Sequence, residues 1–193
     1  MSKTDNKREN LRIIAGGLHR SVNYGALRIV AAPQEAPPFE VEAMTHEEDT
    51  FLIMDADPET IPIEIHPIRM MAELENFSPQ EVGSVIVRKG SPIRLLAVIH
   101  DVDKEPACRE IWITQALQNI FQEVERLGLR TLGMPLLATR HGRLPLKRFA
   151  RLLGQALSEA PLNSLQHLWL VAPVPDNSAV VDDLAENLRL QNS

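Results

Sequence analysis

Residues 94–102 read Arg-Leu-Leu-Ala-Val-Ile-His-Asp-Val, and residues 131–142 read Thr-Leu-Gly-Met-Pro-Leu-Leu-Ala-Thr-Arg-His-Gly. The first stretch holds the unbroken apolar run Leu95-Leu96-Ala97-Val98-Ile99. A run of that length marks a central strand covered on both faces. Between the two stretches, Ile113, Leu117, Ile120, Val124 and Leu127 recur at spacings of four and three. That spacing places them on one face of a helix predicted over 108–127, with Gly128 as its stop. A short strand at 131–134 follows. Pro145 fixes φ at the opening of a second helix, whose inner face carries Phe149, Leu152, Leu153 and Ala156. A further strand is predicted at 167–172 and a last helix at 178–190, capped by Asp176 or Ser178. Upstream, 84–87 reads as a short strand and 89–92 as a turn. Strand, helix, strand, helix, strand with short connections implies parallel strands joined by right-handed crossovers.

The first half is less regular. A strand is predicted at 27–32, ended by Pro33, Pro37 and Pro38. In 39–44, Phe39, Val41 and Ala43 alternate with Glu40 and Glu42, the period of a strand with one wet face. His46-Glu47-Glu48-Asp49 then reads as an acidic turn and 51–55 as a third strand. Residues 61–66 alternate again but carry Pro62, which suits an edge strand or an extended loop. Residues 1–10 are polar and charged after Met1, and 11–25 bring three glycines. Segment 1–25 is therefore expected to be flexible or loosely packed, and one α/β domain to occupy 26–193.

Bulk properties narrow the function. A chain of 193 residues suits one domain with a sizeable core. The formal net charge of −6 argues against general nucleic-acid binding. Cys108 is the one cysteine, so no disulfide framework forms within the chain. No apolar run is long enough for a bilayer, and the start of the chain lacks the apolar segment of a secretory signal, so a cytoplasmic protein without a membrane partner is expected. Gly-x-Ser-x-Gly, Walker, dinucleotide-glycine, His-Glu-x-x-His and Cys/His metal spacings do not occur in it. The reading therefore leans away from an enzyme, with no cofactor and no metal.

Several segments resemble a known family in their order and spacing. Gly83-Ser84-Val85, Val98-Ile99-His100, Thr131-Leu132-Gly133-Met134-Pro135 and Leu168-Trp169-Leu170-Val171 look like the second half of a macro domain. Leu136-Leu137-Ala138-Thr139-Arg140-His141-Gly142 takes the place of that family's second phosphate loop. The resemblance covers roughly half the chain. It implies an α/β, three-layer macro-domain-like mixed sheet with helices on both faces. The departures are specific. The family's Asn-Ala-Ala-Asn-like strand end has Met54-Asp55-Ala56-Asp57 as its nearest counterpart, and no triple glycine follows. The family's Gly-Thr-Gly corresponds to Ala138-Thr139-Arg140, and an arginine does not allow the close approach that glycine does. The amino-terminal domain of leucine aminopeptidases is similar in fold and lacks the same motifs, so the chain also resembles that branch. The catalytic domain of those peptidases needs many more residues than remain here.

In parallel sheets ligands bind outside the carboxyl ends of the strands. Those ends are expected at 55–57, 100–103, 135–142 and 173–176. In the loop from Pro135 to Gly142, backbone N–H groups and the amino end of the Pro145 helix would attract an anion, with Arg140, His141, Arg143, Lys147 and Arg148 close by. The same residues also make an ordinary solvated loop. His100 reads either as a base or ligand contact or as a satisfied histidine, and Cys108 as a helix-start thiolate or a structural thiol. Asp55, Asp57, Asp101 and Asp103 form two Asp-x-Asp pairs, suited to Mg²⁺ or Mn²⁺ if they converge and to turns and caps if they do not. The function expected is a non-enzymatic or vestigial macro-like domain for a small anionic, phosphate-containing or nucleotide-like ligand. Ala138, Thr139, Arg140, His141 and Gly142 would form the cradle. Arg140 or Arg143 would supply the cation, and His100 and Asp101 the edge contacts. The alternatives are a protein-interaction or homo-oligomerisation module without a pocket, and a metal-dependent hydrolase using the four aspartates.

Overall fold

Leu95, Leu96, Ala97, Val98 and Ile99 are all fully buried, as an unbroken apolar run requires, and form the middle of strand β6 (Ile93–His100). The computed structural model describes residues 14–16, 19–54 and 78–191. The other strands are β1 (Ile14–Gly16), β2 (His19–Tyr24), β3 (Leu27–Ala32), β4 (Ala43–Asp49), β5 (Val85–Arg88), β7 (Thr131–Pro135) and β8 (His167–Val171). The helices among the described residues are α1 (Glu110–Leu127), α2 (Leu146–Glu159) and α3 (Val174–Gln191). None of these is long and apolar enough to cross a membrane.

The strands form one eight-stranded sheet in the order β1-β2-β3-β8-β7-β4-β6-β5. The five from β3 to β6 in that order are mutually parallel. At one margin β2 pairs antiparallel with both β1 and β3, and at the other β5 pairs antiparallel with β6. The expected mixed α/β sheet is thus the one observed. β4 lies between β6 and β7, so the crossover through α1 steps over a strand contributed by the first half of the chain.

Alternation along the ladders assigns the two faces. Ile29, Ala31, Leu95, Ala97, Ile99, Leu132, Met134, Leu168 and Leu170 join one core cluster with the buried faces of α1, α2 and α3. Ile113, Leu117, Ile120 and Val124 of α1 and Phe149, Leu152, Leu153 and Ala156 of α2 are in it, as their spacing requires. Leu96, Val98 and Trp169 stand outside that cluster and are buried as well, so both sheet faces are covered. Gly128 ends α1 with φ +66, and its N–H donates to the Glu125 carbonyl.

Several local expectations change. Pro145 caps α2 from just outside it, and α3 begins at Val174, four residues before Ser178. Residues 19–24, inside the segment set aside as loosely packed, form β2 and pair with β3. The largest correction concerns β4. The strand expected at 39–44 begins at Ala43 and runs on through the supposed acidic turn to Asp49, while 51–54 form a turn rather than a strand. The charges are accommodated because the chain turns back over them: Glu48 Oε2 accepts the Met54 N–H at 3.1 Å, and Asp49 Oδ1 accepts the Phe51 N–H at 2.6 Å. The edge strand expected at 61–66, the tail 1–10, and Asp55 and Asp57 lie outside the described residues.

Candidate functional site

β7, β4 and β6 are neighbours, so their carboxyl ends meet. Glu47 of β4 links all three. Its Oε1 lies 2.5 Å from His100 Nε2 at the end of β6, and its Oε2 accepts the Ala138 N–H at 3.0 Å just past β7. The His100 and Glu47 side chains are 7% and 11% exposed. A carboxylate so far out of water needs both oxygens occupied, and here both are. His100 is thus the satisfied, buried histidine among its two readings. Glu47 is the residue that sequence reasoning missed. Its signal was a run of three acids continuing a strand, which looked like a turn because strand interiors seldom carry such a run.

The loop after β7 is curled upon itself. Ala138, fully buried, holds φ +61, a left-handed conformation unusual for a residue with a side chain. Its carbonyl accepts the Leu144 N–H at 3.0 Å. Thr139 spends its N–H and its hydroxyl on the Leu136 carbonyl, at 3.1 and 2.7 Å. Gly142 passes close beneath: a β-carbon there would fall 2.8 Å from Ala138 Cβ, 2.9 Å from its carbonyl oxygen and 3.0 Å from Cys108 Sγ. The first N–H groups of the expected cradle are therefore committed internally, Ala138 to Glu47 and Thr139 to Leu136. Arg140, His141 and Arg143 are exposed at the rim, and so is Lys147 in the first turn of α2. Arg148 leaves this cationic group, since its guanidinium makes a two-pronged bond to Glu110 at 2.7 and 2.6 Å. That contact holds the Glu110 carboxyl below its usual range.

Asp101 and Asp103 do not converge as metal ligands. Asp101 Oδ1 accepts the Asp103 N–H at 3.1 Å, while Oδ2 pairs with Lys104 Nζ at 2.8 Å. The hydrogen bond from Lys104, then that backbone bond, outweigh burial and hold the Asp101 carboxyl below its usual range. This is turn chemistry. Among the described residues no group of three or more His, Cys, Asp or Glu could hold a metal ion. Cys108 precedes α1 and is partly buried. Burial first, then the Glu47 charge, push its thiol up to about 11, against a smaller opposing hydrogen bond from the Arg109 backbone. At neutral pH it is a thiol, not the thiolate that nucleophilic attack requires.

Of the strand end expected at Met54-Asp55-Ala56-Asp57, Met54 lies in the turn after β4 and the other three residues lie outside the described residues. The first-half strand that reaches the carboxyl edge between β7 and β6 is β4, and it ends in His46-Glu47-Glu48-Asp49.

No family model matches the sequence, and no curated protein does. Solved structures do match. The Oceanobacillus iheyensis macrodomain with ADP is 14% identical, with a TM-score of 0.64 over 89% of this chain and 96% of that one. The Trypanosoma brucei macrodomain in complex with ADP is 14% identical, with a TM-score of 0.53 over 83% and 68%. The macrodomain of Thermus aquaticus DarG is 17% identical, with a TM-score of 0.51 over 70% and 92%. At these identities the likeness is one of fold, and it takes in far more than the second half of the chain: this is an α/β protein built on the macrodomain plan.

Proposed function

We propose that the chain is a macro-like binding domain that takes a phosphate-containing, nucleotide-like ligand at the carboxyl edge of its sheet, beside the loop from Pro135 to Gly142. The observation that carries this reading is the exposed cationic rim. Arg140, His141 and Arg143 stand beside the amino end of α2, whose first turn has no acidic residue and no side-chain cap. Cations there are unfavourable by about 0.3–1 kcal/mol each, a cost that an anion would relieve. Two macrodomains of the same fold were solved with ADP. Because Ala138 and Thr139 have spent their N–H groups, Arg140 and Arg143 are the phosphate contacts in this reading. His141 and Gly142 complete the rim, and His100 and Asp101 line its inner side.

Binding without catalysis is favoured by the state of the reactive groups: a protonated Cys108, a His100 tied to Glu47, and an Asp101 tied to Lys104. The His46-Glu47-Glu48-Asp49 strand end, in place of an Asn-Ala-Ala-Asn-like one, supports placing the chain near the relaxed branch that includes the amino-terminal domain of leucine aminopeptidases. The partly buried free thiol suits a reducing, cytoplasmic setting.

Calorimetric titration with ADP and ADP-ribose tests the function. Heat of binding is expected, and it should vanish in the Arg140→Ala, Arg143→Ala double variant. A folded protein that gives no heat with either nucleotide would remove this function.

A further inference from the structure

We propose that the outer face of α2, with the loop leading into it, binds a strand of RNA or DNA through its phosphate backbone. Charge is unevenly placed along this chain. Between Glu125 and Glu159 lie seven of the 20 Lys and Arg and none of the 26 Asp and Glu. The net charge of −6 is therefore an average over an acidic body and one basic segment, and a phosphate backbone responds to the local face. Arg148 spends its charge on Glu110. Arg140, Arg143, Lys147 and Arg151 are exposed, and none of them forms an ion pair or a hydrogen bond among the described residues. Lys147 and Arg151 are four residues apart on α2, so they stand on one face about 6 Å apart along its axis. Arg140 and Arg143 carry the charge on into the loop at the carboxyl edge. Within the fold this row is unfavourable: like charges at that spacing repel one another, and those near the amino end of the helix oppose its dipole. A bound polyanion reverses both effects.

The makeup of the face favours a nucleic-acid strand over an acidic protein. The centre of a protein interface is apolar and poor in charge. The large apolar side chains exposed among the described residues are Ile53, Met54, Val102, Ile111, Val174 and Leu190, and none of them is on α2 or the loop before it. Phe149, the one aromatic residue between Glu125 and Glu159, is fully buried, so bases have no ring to stack on. What remains is contact with phosphates, which is indifferent to base sequence and steeply dependent on salt. Three of the four cations are arginines, whose planar fork suits phosphate oxygens. This surface goes beyond the nucleotide site proposed above and shares Arg140 and Arg143 with it.

The test is fluorescence anisotropy of a labelled oligothymidylate of about 12 nucleotides, titrated with the full chain at several salt concentrations. On logarithmic axes the binding constant should fall with salt at a slope of about −3, as four phosphate contacts require. The double variant Lys147→Gln, Arg151→Gln removes two contacts. It should weaken binding at least about tenfold at low salt and flatten the slope to about −1.4. The double variant Arg88→Gln, Lys89→Gln makes the same change in net charge at the far margin of the sheet, where both residues are exposed, and should bind as the wild type does. No binding of the oligonucleotide, equal weakening in the two double variants, or competition by polyglutamate as strong as by unlabelled oligonucleotide overturns the inference. Titration with ADP separates it from the function proposed above. A chain that binds ADP and not the strand loses the inference alone, and one that binds the strand and not ADP keeps it.

Discussion

At the scale of single residues, two positions fix the shape of the rim. Gly142 runs so close to Ala138 that a methyl group would collide with a carbonyl oxygen, which cannot rotate away. Gly142→Ala is expected to destabilise the protein by about 1–3 kcal/mol in urea unfolding and to weaken nucleotide binding with it. The obstacle at Gly133 is instead the flexible end of Met44, so Gly133→Ala should cost less. Cys108 gives a second prediction. Its alkylation should be slow at neutral pH and accelerate only as pH climbs from 9 towards about 11. Its folded-state pKa is raised, so its contribution to stability is complete below pH 9.0, the ordinary value, and is lost as pH rises through about 11. Of these details, sequence spacing could point to the loop and to His100 as lying at the carboxyl edge of the sheet. It could not show that Ala138 N–H was already taken, because its partner lies 91 residues away on another strand.

At the scale of elements, what was legible follows burial. β6, α1 and α2 carry apolar patterns that a sheet and one helix face impose directly, and their positions were readable to within a few residues. β4 was not, because its buried end is built from Glu47, Glu48 and Asp49, whose partners only the fold supplies. β2 escaped for a different reason: it is short, it carries His19, Arg20, Ser21 and Asn23, and its strand character comes from pairing with β3. The amino ends of α1 and α2 are joined by Glu110 and Arg148, both partly exposed. Arg148→Ala should lower Tm by no more than about 4 °C, as suits a partly solvated pair. The lowered Glu110 pKa gives this contact a sign: its stabilisation is present above pH 4.5 and fades as pH falls through the depressed value. The test is the difference in melting temperature between wild type and Arg148→Ala, measured at pH 7 and at pH 3. The difference should shrink on acidification.

At the scale of the whole molecule, the sheet is a parallel centre with antiparallel margins. Amides of β8, β7 and β4, paired on both sides, should exchange hydrogen more slowly than those of β5 at the margin, in native-state exchange followed by NMR. A β5 as protected as β8 would mean that the sheet opens only as a unit. The second half of the chain, from Gly83 onward, is not a self-sufficient sheet. β6 and β7 follow one another in sequence but are not paired, and β4 from the first half fills the place between them. The resemblance that the second half shows by itself is thus a resemblance of parts, completed by a strand whose sequence gave little sign of its role.

The position of β8 has a consequence for biosynthesis. It is the last strand made among those described, yet it stands between β3 and β7 and is hydrogen-bonded to both. A nascent chain that has emerged only as far as α2 holds β1-β2-β3 and β7-β4-β6-β5 as separate groups, with no ladder between them. Each group then shows a raw strand edge to its surroundings, and such edges are templates for unwanted pairing. Supplied in trans with a peptide spanning β8 and α3, that chain has the missing strand that would join the two groups.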